Sequence, residues 1–229
     1  MTAGLPDGYQ SLDTCAVADA MEAVRGAAYT DQHVLPGLAA TWPGARALGL
    51  VTTTRLAPGP APAGAPHLGT SAIEAGGPGR VIVIDNGGRT DAASWGGLLS
   101  AAARLHGIAG VVTNGAARDV DEAAELGFAV FSRATTPRTA RGRYHEVSCG
   151  EPVTFGSVTI ETGDFIAADG SGVVLVPRAD VPAVLGRARE IAARERAMRA
   201  ALEARGAPSA VLGRSYEDML KTNGKALSQ

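Results

Sequence analysis

RVIVIDNGGRTDAASWGGLLSAAARLHGIAGVVTNGAARDVDEAAELGFAVFS, residues 80–132, sets the architecture. Its opening RVIVID (80–85) is a continuous apolar run, the pattern of a strand buried on both faces. SWGGLLSAAARLH (94–106) reads as a helix and IAGVVT (108–113) as a second buried strand. Residues 118–126 suggest a short helix, and FAVFS (128–132) a third strand. Strand–helix–strand–helix–strand predicts a parallel α/β core with right-handed crossovers.

Working outward, LDTCAVADAMEAV (12–24) reads as a helix that either Asp13 or Thr14 would cap. ARALGLVTTTR (45–55) is a strand with β-branched residues toward its end. APGPAPAGAP (57–66) cannot be regular structure and reads as a surface loop. After the core, short strands at 144–148, 158–161, 165–168 and 173–176 predict a β-rich layer on or beside the parallel sheet. A long helix is expected over about 180–205, with an apolar stripe through Val181, Val184, Leu185, Ala188, Ile191, Ala192, Met198 and Leu202. Glu195 falls on that stripe, where a carboxylate is costly unless paired, at the rim, or reaching into another site. Residues 206–229 read as a tail, and the whole of 1–229 as one domain.

Composition narrows the function. Aromatic residues are 4% of the chain, too few for a platform that stacks nucleobases. A net charge of −2 gives no field that favours polyanions, so no nucleic-acid partner is expected. No apolar run approaches a membrane span, and Cys15 and Cys149 make neither a metal motif nor a disulfide framework. A cytoplasmic protein is expected. The four histidines show no zinc spacing, and the arginines of 187–199 alternate with acids as on a solvated helix face.

Two strand-to-helix junctions are where chemistry is expected, because open α/β sheets bind ligands at the carboxyl ends of their strands. At 85–99 (DNGGRTDAASWGGLL), Ser94 is a candidate N-cap. Gly96 and Gly97 would let the amides up to Leu98 and Leu99 meet an anion at a helix N-terminus. A glycine-weakened first turn that binds nothing fits the same spacing. At 113–122 (TNGAARDVDE), Arg118 is placed to grip a carboxylate and Asp119 to offer an oxygen to Mg²⁺. Asp119 followed by Glu122 also matches a capping pattern, and by spacing alone the helix cap is the favoured reading of Asp119.

ASWGGLLSAAARLHGIAGVVTNGAARD (93–119), FAVFSRATTPR (128–138) and VTIETGDFIAADGSGVVLVP (158–177) together resemble a family. It is that of the divalent-metal-dependent 4-hydroxy-4-methyl-2-oxoglutarate/4-carboxy-4-hydroxy-2-oxoadipate aldolases, which also includes RraA-type regulators of ribonuclease E. The resemblance runs from about residue 14 to 205 and is densest over 80–177. It implies an RraA-like α/β fold and a homotrimer or hexamer with sites between subunits. It also implies catalysis through Mg²⁺ (or Mn²⁺) on a small 2-oxo acid. Residue by residue, it makes Arg118 the pyruvate-binding cation and Asp119 the direct metal ligand. It places the substrate carboxylate on Leu98 and Leu99 beside Gly96 and Gly97, and makes Glu195 a candidate acid donated by a neighbouring subunit.

The chain departs from the family pattern in two places. Gly97 stands where the family has Asp or Glu, and Asn114-Gly115 where it has Asp-Gly. Asp85, Asp91 and Asp121 are the nearby acids that could compensate. Three functions follow from the resemblance. The first is a lyase cleaving or decarboxylating a 2-oxo acid through a pyruvate enolate. The second is the same fold repurposed for another, biosynthetic substrate, and the third is a non-catalytic regulator that binds a ribonuclease.

Overall fold

The computed structural model describes Leu5, residues 7–204 and residues 206–213. A 3-10 turn at Tyr9–Ser11 leads to helices α1 (Thr14–Arg25) and α2 (Ala27–His33). Strands β1 (Ala39–Ala40) and β2 (Ala47–Pro58) follow, then α3 (Thr70–Gly76), β3 (Arg80–Asp85), β4 (Ala93–Trp95) and α4 (Gly97–Leu105). Next come β5 (Gly110–Thr113), β6 (Ala116–Ala117), α5 (Val120–Glu125), β7 (Ala129–Ser132) and β8 (Ala134–Thr135). The chain continues through β9 (Tyr144–Cys149), β10 (Val153–Phe155), β11 (Val158–Ile160), β12 (Phe165–Asp169), β13 (Gly172–Val176), α6 (Val181–Glu203) and α7 (Pro208–Val211).

The main sheet runs β1-β7-β5-β3-β2-β12-β13, with β9 also on β2. Its centre, β7-β5-β3-β2, is parallel, and β1, β9, β12 and β13 join antiparallel. The expected parallel core with a β-rich extension and a long C-terminal helix is therefore the fold. Side-chain alternation along β3 shows why its sequence is apolar throughout. Ile82 and Ile84 pack with Trp95, Leu99, Ala103 and Phe128 on the α4–α5 face. Val81 and Val83 pack with Phe131, Phe155, Ile160 and Leu175 on the opposite face. A further core joins α1 and α6 over Phe165 and Val174, through Val17, Met21, Val184, Leu185 and Ile191. Between the alternatives for capping α1 the structure selects Asp13, whose Oδ1 accepts from the Ala16 N–H at 2.7 Å.

A second, three-stranded sheet went unread in the sequence. β4, β6 and β8 run parallel in that order, each a few residues beyond β3, β5 or β7. This moves the start of α4 to Gly97 and corrects the expected helix over 94–106. Ser94 is not its N-cap. It lies in β4, fully buried, with its Oγ 2.7 Å from Thr113 Oγ1 and donating to the Ala116 carbonyl at 3.0 Å. The strand read at 45–55 also continues to Pro58, into the segment expected to be loop. Of the predicted tail, residues 214–229 lie outside the described residues.

Close approach at Gly49 of β2 gives a test. A Cβ built there lies 2.0 Å from the Gly79 carbonyl oxygen, which is backbone and cannot swing away. Gly49→Ala is expected to cost on the order of 1–3 kcal/mol of stability. That corresponds to a Tm lower by roughly 2–10 °C in a thermal melt. An unchanged Tm would contradict the packing of β2 against the turn before β3.

Candidate active site

The small β4-β6-β8 sheet sets two helix starts side by side. Trp95 and Ala117 are register partners, and the Arg118 N–H donates to the Trp95 carbonyl at 3.0 Å. α4 therefore begins beside the residues that lead into α5. Trp95 anchors the first junction: its ring stacks on Phe128, and its Nε1–H donates to Ser100 Oγ at 2.9 Å. Ser100 Oγ in turn donates to the Gly96 carbonyl at 3.1 Å, fixing the first turn.

Asp119 does not cap its own helix. It is the N-cap of α5 by position but makes no side-chain capping bond there. Its Oδ2 instead accepts from the Gly97 N–H at 3.0 Å and lies 3.2 Å from Arg118 Nε. Asp119 thus occupies one of the free donors at the start of a helix 22 residues earlier. Its backbone is left-handed, φ 54° and ψ 40°, and among the described residues no other non-glycine has positive φ. Such a conformation costs about 1–2 kcal/mol in an L residue. The surrounding contacts hold it.

At α4, Gly97 gives its N–H to Asp119, while Leu98 and Leu99 occupy the next first-turn positions, whose N–H groups have no partner within the helix. The Leu99 side chain is buried under the helix, whereas Leu98 is 85% exposed. Both glycines are needed for space. A Cβ at Gly96 would lie 3.0 Å from Asp119 Oδ2 and 3.1 Å from Arg118 Nε. A Cβ at Gly97 would lie 1.9 Å from Glu122 Oε2. The acid beside Gly97 is therefore Glu122, not Asp85, Asp91 or Asp121. Sequence reading had used Glu122 only as half of a capping pattern. Its place on α5, three residues after Asp119, was the available signal.

The three acids named beforehand have other settings. Asp85 is buried, and its Oδ1 accepts from Asn114 Nδ2 at 2.7 Å and from the Gly87 N–H at 2.8 Å. Asp91 accepts from the Tyr144 hydroxyl, which holds its carboxyl below the usual range. Burial, and then Asp91 itself, push the Tyr144 hydroxyl up. Asp121 is exposed in the first turn of α5. Glu195 sits on α6, where burial and then Asp13 and Asp19 raise its carboxyl. Its surroundings are those of α1, so one chain does not bring it to Arg118 and Asp119.

A cavity of about 430 Å³ opens at these junctions, within the range of small-molecule sites. Gly96, Gly97, Leu98, Leu99 and Arg118 form one part of its wall. The loop before α3 and the segment that runs into the start of β9 supply most of the rest, including His67, Arg141, Tyr144 and His145. No aspartate or glutamate is in the wall, but Asp119 touches Arg118 and Gly97, and Glu122 lies against Gly97. The lining is basic and suits an anion.

Among the described residues, no group of three or more His, Cys, Asp or Glu side chains is placed to hold a metal. Such a set suits zinc. Mg²⁺ binds through one or two carboxylates and fills its other positions with water and substrate oxygens. Asp119, its Oδ1 without a hydrogen bond among the described residues and its side chain 39% exposed, fits that smaller requirement.

The family model RraA-like: Aldolase/RraA matches residues 14–175, which include both junctions. The chain belongs to the RraA-like family. It is similar to a Burkholderia mallei protein named "Putative 4-hydroxy-4-methyl-2-oxoglutarate aldolase", with 42% identity over 105 residues, 46% of this chain and 63% of that protein. The matches span from 20% to 65% of the length of the curated relatives. A crystal structure of an uncharacterized Pseudomonas syringae protein superposes with a TM-score of 0.78 at 28% identity, over 92% of this chain and all of the other. Streptomyces coelicolor RraAS2, described as an unusual member of the RNase ES inhibitor RraA family, shares the fold with a TM-score of 0.71 at 24% identity. That match covers 85% of this chain and 98% of the other.

Asn114 accounts for the second departure from the family pattern. Its Oδ1 accepts from the Asn86 N–H at 2.6 Å while its Nδ2 donates to Asp85, a donor role that a carboxylate cannot fill. Asn114→Asp would set two buried carboxylates against each other, which raises the pKa of one of them. The variant is expected to lose about 1–3 kcal/mol at pH 7.5 from the lost bond and the buried repulsion. The loss should shrink as pH falls below about 5, where protonation restores a donor. Urea unfolding at several pH values measures this, and a pH-independent loss would contradict the Asp85–Asn114 contact.

Proposed function

We propose that the protein is a divalent-metal-dependent lyase that cleaves or decarboxylates a small 2-oxo acid through a pyruvate enolate. The observation that supports it most is Asp119, whose Oδ2 accepts from the Gly97 N–H at the first turn of α4 and pairs with Arg118. A relative named as an aldolase, 42% identical over 105 residues, supports it further. Arg118, always charged, binds the substrate carboxylate or the ketone oxygen beside it. The Leu98 and Leu99 N–H groups hold the carboxylate at the positive end of the helix. Asp119 offers its remaining oxygen to Mg²⁺ or Mn²⁺. When bound, the ion supplies Lewis-acid stabilisation of the negative charge that develops on the C2 oxygen. The basic cavity wall receives the rest of the substrate.

A homotrimer or hexamer belongs to the same reading. Leu98 and Leu105 are each 85% exposed and stand seven residues apart on one face of α4, next to the site. An apolar face of that kind favours a partner surface, and Glu195 would join the site only from a neighbouring copy. A cytoplasmic setting rests on Cys15 and Cys149 being free thiols.

The test is pyruvate release from 4-hydroxy-4-methyl-2-oxoglutarate and from oxaloacetate, with Mg²⁺ and with EDTA. Activity should disappear with EDTA and return with Mg²⁺ or Mn²⁺. Arg118→Ala should lower kcat/KM by roughly 10- to 150-fold, the value of one charge-assisted hydrogen bond. Turnover indifferent to both EDTA and Arg118→Ala would sink the proposal.

A further inference from the structure

We propose that Glu122 is the proton carrier of this site, working from the space left open by Gly97. The inference rests on the lyase reading and adds to it the group that moves the proton. Retro-aldol cleavage needs a base for the hydroxyl proton of the substrate and an acid to protonate the enolate carbon. Around the Gly96–Gly97 turn most groups are committed elsewhere. Arg118 cannot give up its proton. Asp119 Oδ2 is engaged by the Gly97 N–H and by Arg118. The Tyr144 hydroxyl donates to Asp91.

Glu122 is different. Its carboxylate takes part in no hydrogen bond or ion pair among the described residues, and it lies where the first side-chain atom of residue 97 would otherwise be. Both oxygens face that position, Oε2 at 1.9 Å and Oε1 at 2.9 Å from the Cβ built on Gly97. The glycine thus admits an acid from α5 to the start of α4, the helix whose Leu98 and Leu99 N–H groups would receive the substrate carboxylate.

The step balances without an outside reagent. The Glu122 carboxylate takes the proton of the C4 hydroxyl, and that oxygen becomes a carbonyl as the C3–C4 bond breaks. The bond's electron pair passes into the pyruvyl fragment as its enolate. The proton then returns from Glu122 to C3, which becomes the methyl group of pyruvate, and the carboxylate is regenerated. Run on pyruvate alone in D₂O, the same residue exchanges methyl protons for deuterons.

His67 and His145 are the competing carriers. Both are in the cavity wall, with Nδ1 bonded to the Leu68 and Gly59 carbonyls, respectively. The three atoms nearest a Cβ built on Gly97 all belong to Glu122, and neither histidine supplies one.

The experiment follows loss of the pyruvate methyl signal by proton NMR in D₂O with Mg²⁺. It is paired with calorimetric titration of oxalate, an enolate mimic that needs no proton transfer. Glu122→Gln should slow exchange on the order of 100-fold or more, with oxalate affinity within about threefold of the original. Gly97→Ala forces the carboxylate out and should slow exchange at least about tenfold without lowering Tm, since alanine is the better helix former. His67→Asn and His145→Asn, at wall residues that meet the part of a substrate beyond its pyruvyl group, should slow exchange of pyruvate far less than Glu122→Gln does.

Wild-type exchange in Glu122→Gln would overturn the assignment, as would loss of exchange in a histidine variant alone. A fall in oxalate affinity matching the fall in exchange would make Glu122 a binding group and also overturn it. If Arg118→Ala abolishes exchange while Glu122→Gln leaves it intact, only this inference fails. If the unaltered protein neither exchanges pyruvate protons nor binds oxalate, the lyase reading fails and takes the inference with it.

Discussion

The bond from the Gly97 N–H to Asp119 Oδ2 is the constraint on which the site depends. It joins the first turn of α4 to the residue that starts α5, and so fixes two junctions that the three-stranded accessory sheet also aligns. Asp119 adopts a left-handed backbone to make it. The conformation costs about 1–2 kcal/mol, and aspartate is among the few side chains that tolerate it. Its return is a carboxylate with one oxygen engaged by the helix and by Arg118 and the other open. A simple cap would have turned that side chain inward to α5.

From that bond the use of glycine follows. Side chains at 96 and 97 would run into Asp119, Arg118 and Glu122. Gly97, the first residue of α4, weakens the helix start by up to roughly 1 kcal/mol against alanine, whereas Gly96 is its N-cap, where glycine is tolerated. Trp95 offsets part of this through its hydrogen bond to Ser100 and its stacking on Phe128. The first turn is therefore held from below by aromatic packing and left open above. An opening of that kind gives backbone N–H groups access to a ligand, and the missing side chain at Gly97 gives Glu122 room to lie against that residue.

Much of this could be read in the chain. RVIVID, IAGVVT and FAVFS announce the parallel core, because strands buried on both faces cannot alternate polar and apolar residues. The period of α6 is equally plain, and its stripe is buried from Val181 to Ala192. The accessory sheet was not legible. Its strands are two or three residues long and made of Ala, Ser, Thr and Trp, too short to show a period. Ser94 looked like an N-cap for the same reason, since serine before an apolar helical run is a sound local signal that tertiary pairing overrode. Arg118 and Asp119 stand out by their place directly after a strand and its turn, but spacing alone favours a cap for Asp119, and their site roles come with the family resemblance. Glu122 was missed because an i, i+3 acid explains itself locally as half of a capping box. Only the tertiary approach of α5 to α4 separates the two roles.

The parts of the site differ in what they can specify. Backbone N–H groups, one arginine and one or two carboxylates recognise a carboxylate beside a carbonyl and little else. Discrimination among 2-oxo acids must come from the remaining cavity wall, where His67, Arg141, Tyr144 and His145 stand on segments outside the parallel core. Tyr144 is held there by its bond to Asp91 and by Arg89 over its ring at 5.2 Å. Loops tolerate sequence change better than a sheet buried on both faces. A scaffold arranged in this way keeps its enolate chemistry in the rigid junctions and leaves substrate choice to segments that can vary without disturbing them.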